Sequence, residues 1–445
     1  EATLVCTELL KLEPTNAEGL INLGICQIHT NKRDEALDNF HRATDIDPLS
    51  SSAWTNKGNA LLDLEELEKA QKCLKTALDL NPNSEEALVG LGNLYNEQKN
   101  YSAGLECFSK VIQINPNNSQ AKWNKALSLL RLGLFEEGWK LYESRWQIHG
   151  MQEHAKYQQI PLWLGSPSLQ DKTVLIHAEQ GFGDAIQMGR YLPMIENEMG
   201  AKVVFEVPRA LTQLMRSLSS SITVIESDKQ IEEQYQDTID FQCPVMSLPL
   251  AFKTSINTIP NTTPYLFAQP EKIAIWNKRL NDSQTRSSRP KIGIAWSGSG
   301  HYAGKLSAKR DLPIAELLLL LAGLKERGIE AHSLQVNLEA TQKTALTNNS
   351  NLLFHESELH DFADTAGLIS QLDLVISVDT AVAHLAGALN KPLLLLLPDP
   401  PDFMSLQSGD TSPWYPSTTL IRQHNRGNWK DSIAKILKLL DQNLL

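Results

Sequence analysis

The chain has 445 residues, 42% of them hydrophobic and 21% charged, a composition that excludes a disordered or collagen-like protein. At roughly 150 residues per domain, this length predicts about three domains. Because 41 Lys and Arg residues face 52 Asp and Glu residues, the net charge is −11, which disfavours binding to a nucleic-acid backbone.

The apolar runs and the cysteines exclude further classes of protein. The longest apolar runs, around Ala315 to Leu324 and Leu393 to Leu397, fall short of the ~20 residues that cross a bilayer, and no charged and apolar leader opens the chain. The five cysteines are odd in number and show no CxxC spacing, which argues against a disulfide framework or a structural zinc site. We therefore expect a cytoplasmic protein with no transmembrane segment.

The first third of the chain has a 34-residue period. Proline and glycine mark it: Pro14, Pro48, Pro82 and Pro116, and Gly24, Gly58 and Gly92, with Ala126 in the fourth glycine position. This pattern resembles tetratricopeptide repeats, in which a small residue lets two helices approach and a proline ends the second. It predicts an α-solenoid with half a repeat at residues 1–14, three full repeats at 17–118 and a degenerate repeat from Ser119 to Gly150.

Asparagines recur within these repeats. Asn22, Asn56 and Asn124 share one repeat position, and Asn59 and Asn93 share another. A row of amides is suited to pairing with an extended peptide, so the repeats are a candidate site for a peptide or protein partner. Asparagine is also common at these positions of tetratricopeptide repeats, and the alternative is that the amides serve only the fold.

From Lys172 onward, short apolar runs alternate with helix-like stretches, as parallel α/β sheets require. Two sets of strands are predicted, at 173–178, 202–207, 221–226 and 237–242, and at 291–296, 330–335, 351–355, 373–378 and 392–397. A polar stretch from Asn277 to Pro290 reads as a linker between them. We therefore predict a repeat domain at 1–150 and two Rossmann-like domains at 151–276 and 277–445, with ligands beyond the carboxyl ends of the strands.

The first candidate loop follows the first predicted strand. Gly181 and Gly183 permit a tight turn, and Asp184 opens a helix. The loop is not GxGxxG, and neither half shows that fingerprint with an acidic residue about 20 positions on, which disfavours an NAD-type dehydrogenase. A helix N-cap is the structural alternative for Asp184.

The second candidate loop follows the predicted strand at 373–378 and begins at Asp379. Thr380 and His384 are four positions apart and share a helix face, while Ala381 keeps the helix slim. A phosphate at this helix start would meet backbone amides, the hydroxyl of Thr380 and the ring of His384. A histidine with no such ligand is more often structural.

Two further positions complete the candidate site. The loop from Trp296 to Pro313 supplies small residues, including Ser297, for close backbone approach, and basic residues, including Arg310, for a diphosphate. The alternative for its charges is a solvated run. Gln335 lies at a predicted strand end, where it is placed to contact a base or ribose.

Together, Ala178 to Pro193 and Leu372 to Pro392 resemble glycosyltransferase family 9, the ADP-heptose heptosyltransferase group, in the branch that carries tetratricopeptide repeats. The resemblance covers 171–445 in its catalytic part. It implies a GT-B fold, an acceptor on the first Rossmann-like domain, a nucleotide sugar mainly on the second, and inverting transfer without a metal. By position it implies Asp184 as general base, Asp379, Thr380 and His384 as the start of the nucleotide-sugar-binding helix, and Arg310 as a phosphate contact.

The sequence also departs from that family. Heptosyltransferases usually have glycine where this chain has Ala381, which narrows the room for a diphosphate. Fused repeats resemble instead the O-GlcNAc transferase, which presents polypeptide to a GT-B site. We therefore expect a transferase that takes a nucleoside-diphosphate sugar as co-substrate, with no other cofactor and with a polypeptide as candidate acceptor. The alternative is a non-catalytic repeat scaffold with a degenerate transferase-like half.

Three minor features are interpreted structurally. The only DxD, Asp45 to Asp47, precedes Pro48 in a repeat, so we expect no divalent metal. Trp414 and Tyr415 are either walls of the cleft or ordinary packing. The amphipathic stretch from Trp429 to Leu440 predicts a final helix, which in GT-B proteins often bridges back to the first domain.

Overall fold

The computed structural model describes residues 2–148, 157–227, 238–281, 289–298 and 310–442. The chain divides into two compact units, Glu1–His149 and Gly150–Leu445. Within the described ranges, no helix combines the length and the apolar character that a bilayer crossing requires.

The first unit consists of helices that pack in consecutive pairs, α2 with α3, α4 with α5, α6 with α7 and α8 with α9. The helices are α1 (Ala2–Leu12), α2 (Ala17–His29), α3 (Arg33–Ile46), α4 (Ser51–Asp63), α5 (Leu67–Leu80), α6 (Glu85–Glu97), α7 (Tyr101–Ile114), α8 (Ser119–Arg131) and α9 (Phe135–Tyr142), followed by a 3-10 helix at Glu143–Gln147. This arrangement confirms the predicted repeats.

The period of the sequence is visible at the helix ends. The side chains of Asn16, Ser50, Ser84 and Asn118, each 34 residues apart, accept a backbone N–H three residues on and so cap α2, α4, α6 and α8. The second helices α3, α5 and α7 end two residues before a repeat proline.

The repeated glycines lie where paired helices come closest. A Cβ added at Gly24, Gly58 or Gly92 would stand 2.5, 2.7 and 2.5 Å from the side chains of Phe40, Leu74 and Phe108 respectively. Contacts this short leave no room for a methyl group, so the glycine period is a packing requirement.

The second unit begins with a four-stranded parallel sheet in the order β3-β2-β1-β4. Its strands are β1 (Thr173–His177), β2 (Lys202–Val207), β3 (Thr223–Glu226) and β4 (Phe241–Pro244), and its helices are α10 (Phe182–Met188), α11 (Leu192–Met199), α12 (Arg209–Met215) and α13 (Leu248–Ala251). Two 3-10 helices lie at Gly189–Tyr191 and Val245–Ser247. The last strand begins four residues later than the predicted 237–242.

A five-stranded parallel sheet follows, in the order β6-β5-β7-β8-β9. Its strands are β5 (Lys291–Ala295), β6 (Glu330–Ser333), β7 (Leu374–Val378), β8 (Leu393–Leu397) and β9 (Thr418–Arg422). Its helices are α14 (Pro270–Asn281), α15 (Ile314–Glu326), α16 (Ala340–Asn349), α17 (Phe362–Ser370), α18 (Ala381–Ala388) and α19 (Lys430–Asp441), with 3-10 helices at Glu356–Glu358 and Phe403–Ser405. The two parallel sheets confirm the predicted α/β, GT-B-like architecture.

One predicted strand of this sheet was wrong, and one strand was missed. The run at 351–355 forms only an isolated bridge between His332 and Leu353, because the chain turns away after one pairing. The fifth strand is instead β9, which pairs with β8 from Leu393 opposite Thr418 to Leu397 opposite Arg422.

The predicted linker begins inside a helix. α14 continues through Asn277 to Asn281, because Trp276 and Leu280 are buried at 1% and 2% exposure. Residues 282–288 lie outside the described ranges, and the domain boundary between 276 and 277 stays a prediction.

The final helix forms as predicted but packs elsewhere. Ile433, Ile436 and Leu440 of α19 belong to the core of the second sheet, and Leu437 lies against Gly323 of α15. The expectation that this helix bridges back to the first sheet was therefore wrong for its buried face, because α15 and β9 already cover the apolar side chains of that face.

Candidate functional site

The glycine-rich loop closes on itself through Asp184. β1 ends at His177, Gly181 caps α10, and one oxygen of the Asp184 carboxylate accepts the backbone N–H of Gly181 at 2.9 Å. The side chain is therefore tied to the start of its own helix, as the structural alternative predicted.

The carboxylate is nevertheless set up for proton chemistry. Burial raises the pKa of Asp184 to about 7, and the negative charges of Asp402, Glu179 and Asp379 add to the rise, while the Gly181 N–H opposes it. A carboxyl group with a pKa near 7 exchanges a proton at physiological pH.

The second loop begins a helix whose first turn is open. Thr380 is the N-cap of α18, yet its hydroxyl makes no capping bond and lies 3.2 Å from the hydroxyl of Ser377. The first amides of a helix have no acceptor within the helix, so those of α18 are available to an anion. Asp379, just before the cap, has its pKa raised by burial, and the charge of Arg310 opposes that rise.

The two loops meet at Gly183. A Cβ added there would stand 2.8 Å from Cδ2 of His384 and 3.6 Å from the Cα of Ala381. The glycine is therefore needed for close approach, and it sets the Asp184 turn directly against the start of α18. Beside it, the rings of Phe182 and Phe362 pack edge to face at 5.4 Å.

The third loop brings a base-binding candidate and a cation to the same sheet edge. The Ser297 backbone N–H donates to Oε1 of Gln335 at 3.2 Å, which joins the carboxyl ends of β5 and β6. Gly298 makes room for Arg310, since an added Cβ would overlap Nη2 of that guanidinium.

Arg310 has spare hydrogen-bonding capacity. Its Nε is buried and finds no hydrogen-bond partner within the described part of the chain. Its charge acts on both Asp379 and His384. The predicted basic neighbours Lys305 and Lys309 lie outside the described residues.

His384 is held as a neutral side chain. Burial lowers its pKa to about 4, helped by the positive charges of Arg190 and Arg310 and opposed by Asp402. Its Nδ1 lies 3.1 Å from the hydroxyl of Tyr415, and its Nε2 lies 3.7 Å from a carboxylate oxygen of Asp379.

The structure thus brings most of the predicted residues together. Gly181, Gly183 and Asp184 lie on one side and Asp379, Thr380, Ala381 and His384 on the other, with the charge of Arg310 reaching Asp379 and His384. Ser297 and Gln335 contact one another at the ends of adjacent strands. Within the described ranges, no group of three or more His, Cys, Asp and Glu side chains is arranged to hold a metal ion.

Sequence reasoning missed three groups near this site. Asp402, in the turn after β8, acts on both Asp184 and His384. Tyr265 and Arg190 connect to His384 through Tyr415. Arg190 lies inside the Ala178 to Pro193 segment, and an arginine among apolar residues there was the available signal.

The family comparisons cover both parts of the chain. Residues 51–84 and 85–118 match the tetratricopeptide repeat family, and residues 333–438 match glycosyltransferase family 9 (heptosyltransferase). The second match includes Gln335 and the start of α18, whereas the glycine-rich loop lies outside it.

Individual proteins are also similar. Protein FlbA of Caulobacter vibrioides is 25% identical over 337 residues, 71% of this chain and 54% of that protein, so this chain spans about half the length of that relative. Of solved structures, MamA is 24% identical with a TM-score of 0.29, covering 35% of this chain and 90% of MamA. The TPR protein TTC0263 of Thermus thermophilus is 17% identical with a TM-score of 0.32, covering 35% of this chain and 87% of its own.

The family 9 match supports a glycosyltransferase-type function. The chain carries tetratricopeptide repeats in its N-terminal part and a glycosyltransferase family 9 domain in its C-terminal part.

Proposed function

We propose that the second unit is a metal-independent, inverting glycosyltransferase that uses a nucleoside-diphosphate sugar. The observation that carries this proposal is the contact of Gly183 with His384, which sets the Asp184 carboxylate against the open start of α18. A sugar held between these two turns has an acid–base group on one side and an anion-binding helix end on the other.

The diphosphate is bound by groups of the second sheet. The first amides of α18, the hydroxyl of Thr380 and the unsatisfied Nε of Arg310 are donors suited to phosphate oxygens. Ser297 and Gln335, joined at the ends of β5 and β6, are proposed to contact the nucleoside. Ala381 brings a methyl group to the helix start, so the diphosphate is bound further from the backbone there than a glycine would allow.

The reaction is a single displacement. An acceptor hydroxyl or amide attacks the anomeric carbon, the bond from that carbon to the diphosphate oxygen breaks, and the acceptor proton passes to Asp184. The nucleoside diphosphate leaves as an anion stabilised by the α18 amides and Arg310. A base with a pKa of about 7 is well matched to this transfer at neutral pH.

The repeats support a protein or peptide acceptor. Tetratricopeptide repeats bind peptides, and Asn56 and Asn59 line a cavity of about 170 Å³ together with Ile25, Ile28, Phe40, Ala60 and Asp63. Not all the predicted amides are available, because Asn124 donates to Asn93 at 2.8 Å and is itself buried. The proposed acceptor contact is therefore centred on the second repeat.

The test replaces Asp184 by Asn. Loss of a general base should lower turnover of a nucleotide-sugar donor by ~10² to 10⁴, while loss of a cap alone costs ~1 kcal/mol of stability and little turnover. Asp361→Asn is the matched control, because Asp361 caps α17 by accepting the backbone N–H groups of Ala363 and Asp364, both at 2.9 Å. Unchanged turnover in Asp184→Asn would remove Asp184 from the mechanism.

A non-catalytic scaffold is the second candidate. It is favoured by Ala381 and by the hydrogen bond that ties Asp184 to its own helix. Thermal melting with a panel of nucleoside diphosphates separates the two, since a ligand at 100 times its Kd adds ~2.7 kcal/mol. A shift that Arg310→Met abolishes supports the transferase, and no shift with any nucleotide favours the scaffold.

A further inference from the structure

Arg190 is a buried cation between the two Rossmann-like halves. Its side chain is 4% exposed and lies over the rings of Tyr265, Trp414 and Tyr415 at 4.8, 5.4 and 4.6 Å. Its Nη1 donates to the carbonyl oxygens of Pro260 at 3.0 Å and Trp414 at 2.7 Å, one in each half. A buried guanidinium placed this way fixes the groups around it, because its donors have a rigid planar geometry.

The hydrogen bonds around Arg190 have a defined direction. Nη2 of Arg190 donates to the hydroxyl oxygen of Tyr265 at 3.2 Å, and the Tyr265 O–H donates to the carbonyl of Ile186 at 3.0 Å. The Tyr265 oxygen is therefore only an acceptor toward Tyr415, at 3.4 Å. Tyr415 has one proton and two neighbouring acceptors, and its contact with Nδ1 of His384, at 3.1 Å, is shorter than its contact with Tyr265, at 3.4 Å, which favours donation to His384.

This direction determines the proton position on the imidazole. If Nδ1 accepts from Tyr415, a neutral His384 carries its proton on Nε2. Nε2 lies on the side of the ring that faces Gly183 and Asp379, at the proposed donor site. His384 is then a hydrogen-bond donor toward a sugar or phosphate oxygen.

We propose that Arg190 is a positioning residue that holds Tyr415 against Nδ1 of His384, and so fixes His384 in the tautomer that donates from Nε2. The proposal rests on the proposed function only for what Nε2 contacts, since the tautomer is a property of the free protein. The charged groups near the ring are Arg190 from the first half, and Arg310, Asp379 and Asp402 from the second. Burial of the ring, helped by the two arginines, favours its neutral form.

The experiment is long-range ¹H–¹⁵N NMR of protein labelled at histidine nitrogen, with the His384 signals identified by their loss in His384→Gln. In the parent we expect a proton on Nε2 and a bare Nδ1 that stays neutral down to about pH 5. Tyr415→Phe removes the donor to Nδ1 while keeping the ring, and should give a mixture of tautomers. Arg190→Lys keeps the positive charge but loses the planar set of guanidinium donors, and should also give a mixture of tautomers. Arg190→Met removes the charge as well, and should in addition raise the pKa of His384.

Two control variants separate this effect from general damage. Tyr191→Phe removes another buried hydroxyl, which contacts Thr254 at 2.7 Å, and Arg279→Lys alters another arginine stacked on a ring, at 5.1 Å from Trp276. Both should leave the His384 signals unchanged. Folding of every variant is checked by near-UV circular dichroism. If the Arg190 variants do not fold, Tyr415→Phe carries the test, and Tyr265→Phe, which removes only the competing acceptor, should keep the proton on Nε2.

The outcomes distinguish this proposal from the proposed function. A proton on Nδ1 in the parent, or an unchanged tautomer in folded Tyr415→Phe and Arg190→Lys, would overturn the positioning role even if nucleotides bind. The expected tautomer in a protein that binds no nucleotide would support the positioning role and count against the transferase. With an active protein, Tyr415→Phe should raise the KM for the donor in inverse proportion to the fraction of His384 that keeps its Nε2 proton, about twofold for an equal mixture.

Discussion

At the scale of single residues, the site combines a carboxylate and a histidine whose proton affinities move in opposite directions. Burial and three neighbouring carboxylates raise the pKa of Asp184 to about 7, whereas burial and two arginines lower that of His384 to about 4. Between about pH 4 and pH 7, the site therefore holds a protonated Asp184 carboxyl beside a neutral His384 ring. Above pH 7 the carboxylate is ionised, which is the form a general base requires.

The raised pKa of Asp184 has a consequence for stability. In the unfolded chain this carboxyl titrates near 3.8, so between about pH 4 and pH 7 the folded protein binds more protons and loses stability as pH rises. Asp184→Asn removes this loss. Its stability relative to the parent should therefore increase from pH 5 to pH 8, by about 1.4 kcal/mol for each unit of pKa difference crossed.

Urea unfolding of both proteins at the two pH values measures this change. The comparison at pH 5 is the internal control, since any fixed effect of the amide appears there too. A stability difference that is the same at pH 5 and pH 8 would contradict the raised pKa. If the expected increase in stability is found together with loss of turnover, the ionised, active form of Asp184 is one that destabilises the folded protein.

At the scale of elements, the repeats are built from one close contact used several times. Gly24, Gly58 and Gly92 each lie under a bulky side chain of the partner helix. The fourth repeat has Ala126 at the equivalent position, buried at 0% exposure. A methyl group is therefore accepted only where the partner helix is α9, which is shorter than the others.

Gly92→Ala tests the packing. Alanine favours a helix over glycine by ~1 kcal/mol, but its Cβ would stand 2.5 Å from the Phe108 ring, so we expect a net loss of about 1 to 3 kcal/mol. Glu106→Ala, at an exposed position of α7, is the control for helix propensity and should be neutral or slightly stabilising. Thermal melting compares them, and a Gly92→Ala protein as stable as Glu106→Ala would show that the helices have room to separate.

The features predicted from sequence are those that depend on short-range patterns. The repeat period and the turns before α10 and α18 both follow from residues close together in the chain. β9 was missed because Leu420 and Ile421 are its only apolar residues, whereas β8 is apolar throughout. The Arg190 contacts were missed because they join residues 75 and 224 positions apart, which no local pattern records.

At the scale of the whole molecule, two units with different chemistry share one chain. The first offers polar and apolar side chains around a cavity between the first and second full repeats, and the second holds the proposed transfer site. If the repeats bind the acceptor and the sheets bind the donor, substitutions in the two units should affect different kinetic constants.

Asn56→Ala with Asn59→Ala tests this division. Loss of two peptide-amide hydrogen bonds, at ~1 kcal/mol each, should lower kcat/KM for a polypeptide acceptor at least about tenfold and leave hydrolysis of the donor unchanged. Asn83→Ala with Asn117→Ala is the matched control, because both asparagines are exposed in turns of the repeats. Equal loss of transfer and hydrolysis, or no loss of either, would argue against an acceptor site on these amides.

The guanidinium that joins Pro260 to Trp414 also links opening of the cleft to its chemistry. Arg190 lies in the first half, whereas Tyr415 and His384 both lie in the second, so a movement that parts the halves would take the guanidinium away from the Trp414 carbonyl and the Tyr415 ring. In an open molecule Tyr415 would no longer be held by Arg190, and the imidazole of His384 would be less firmly fixed in one tautomer. Hydrolysis of the sugar donor would then be slower whenever the cleft is open, without any separate lid.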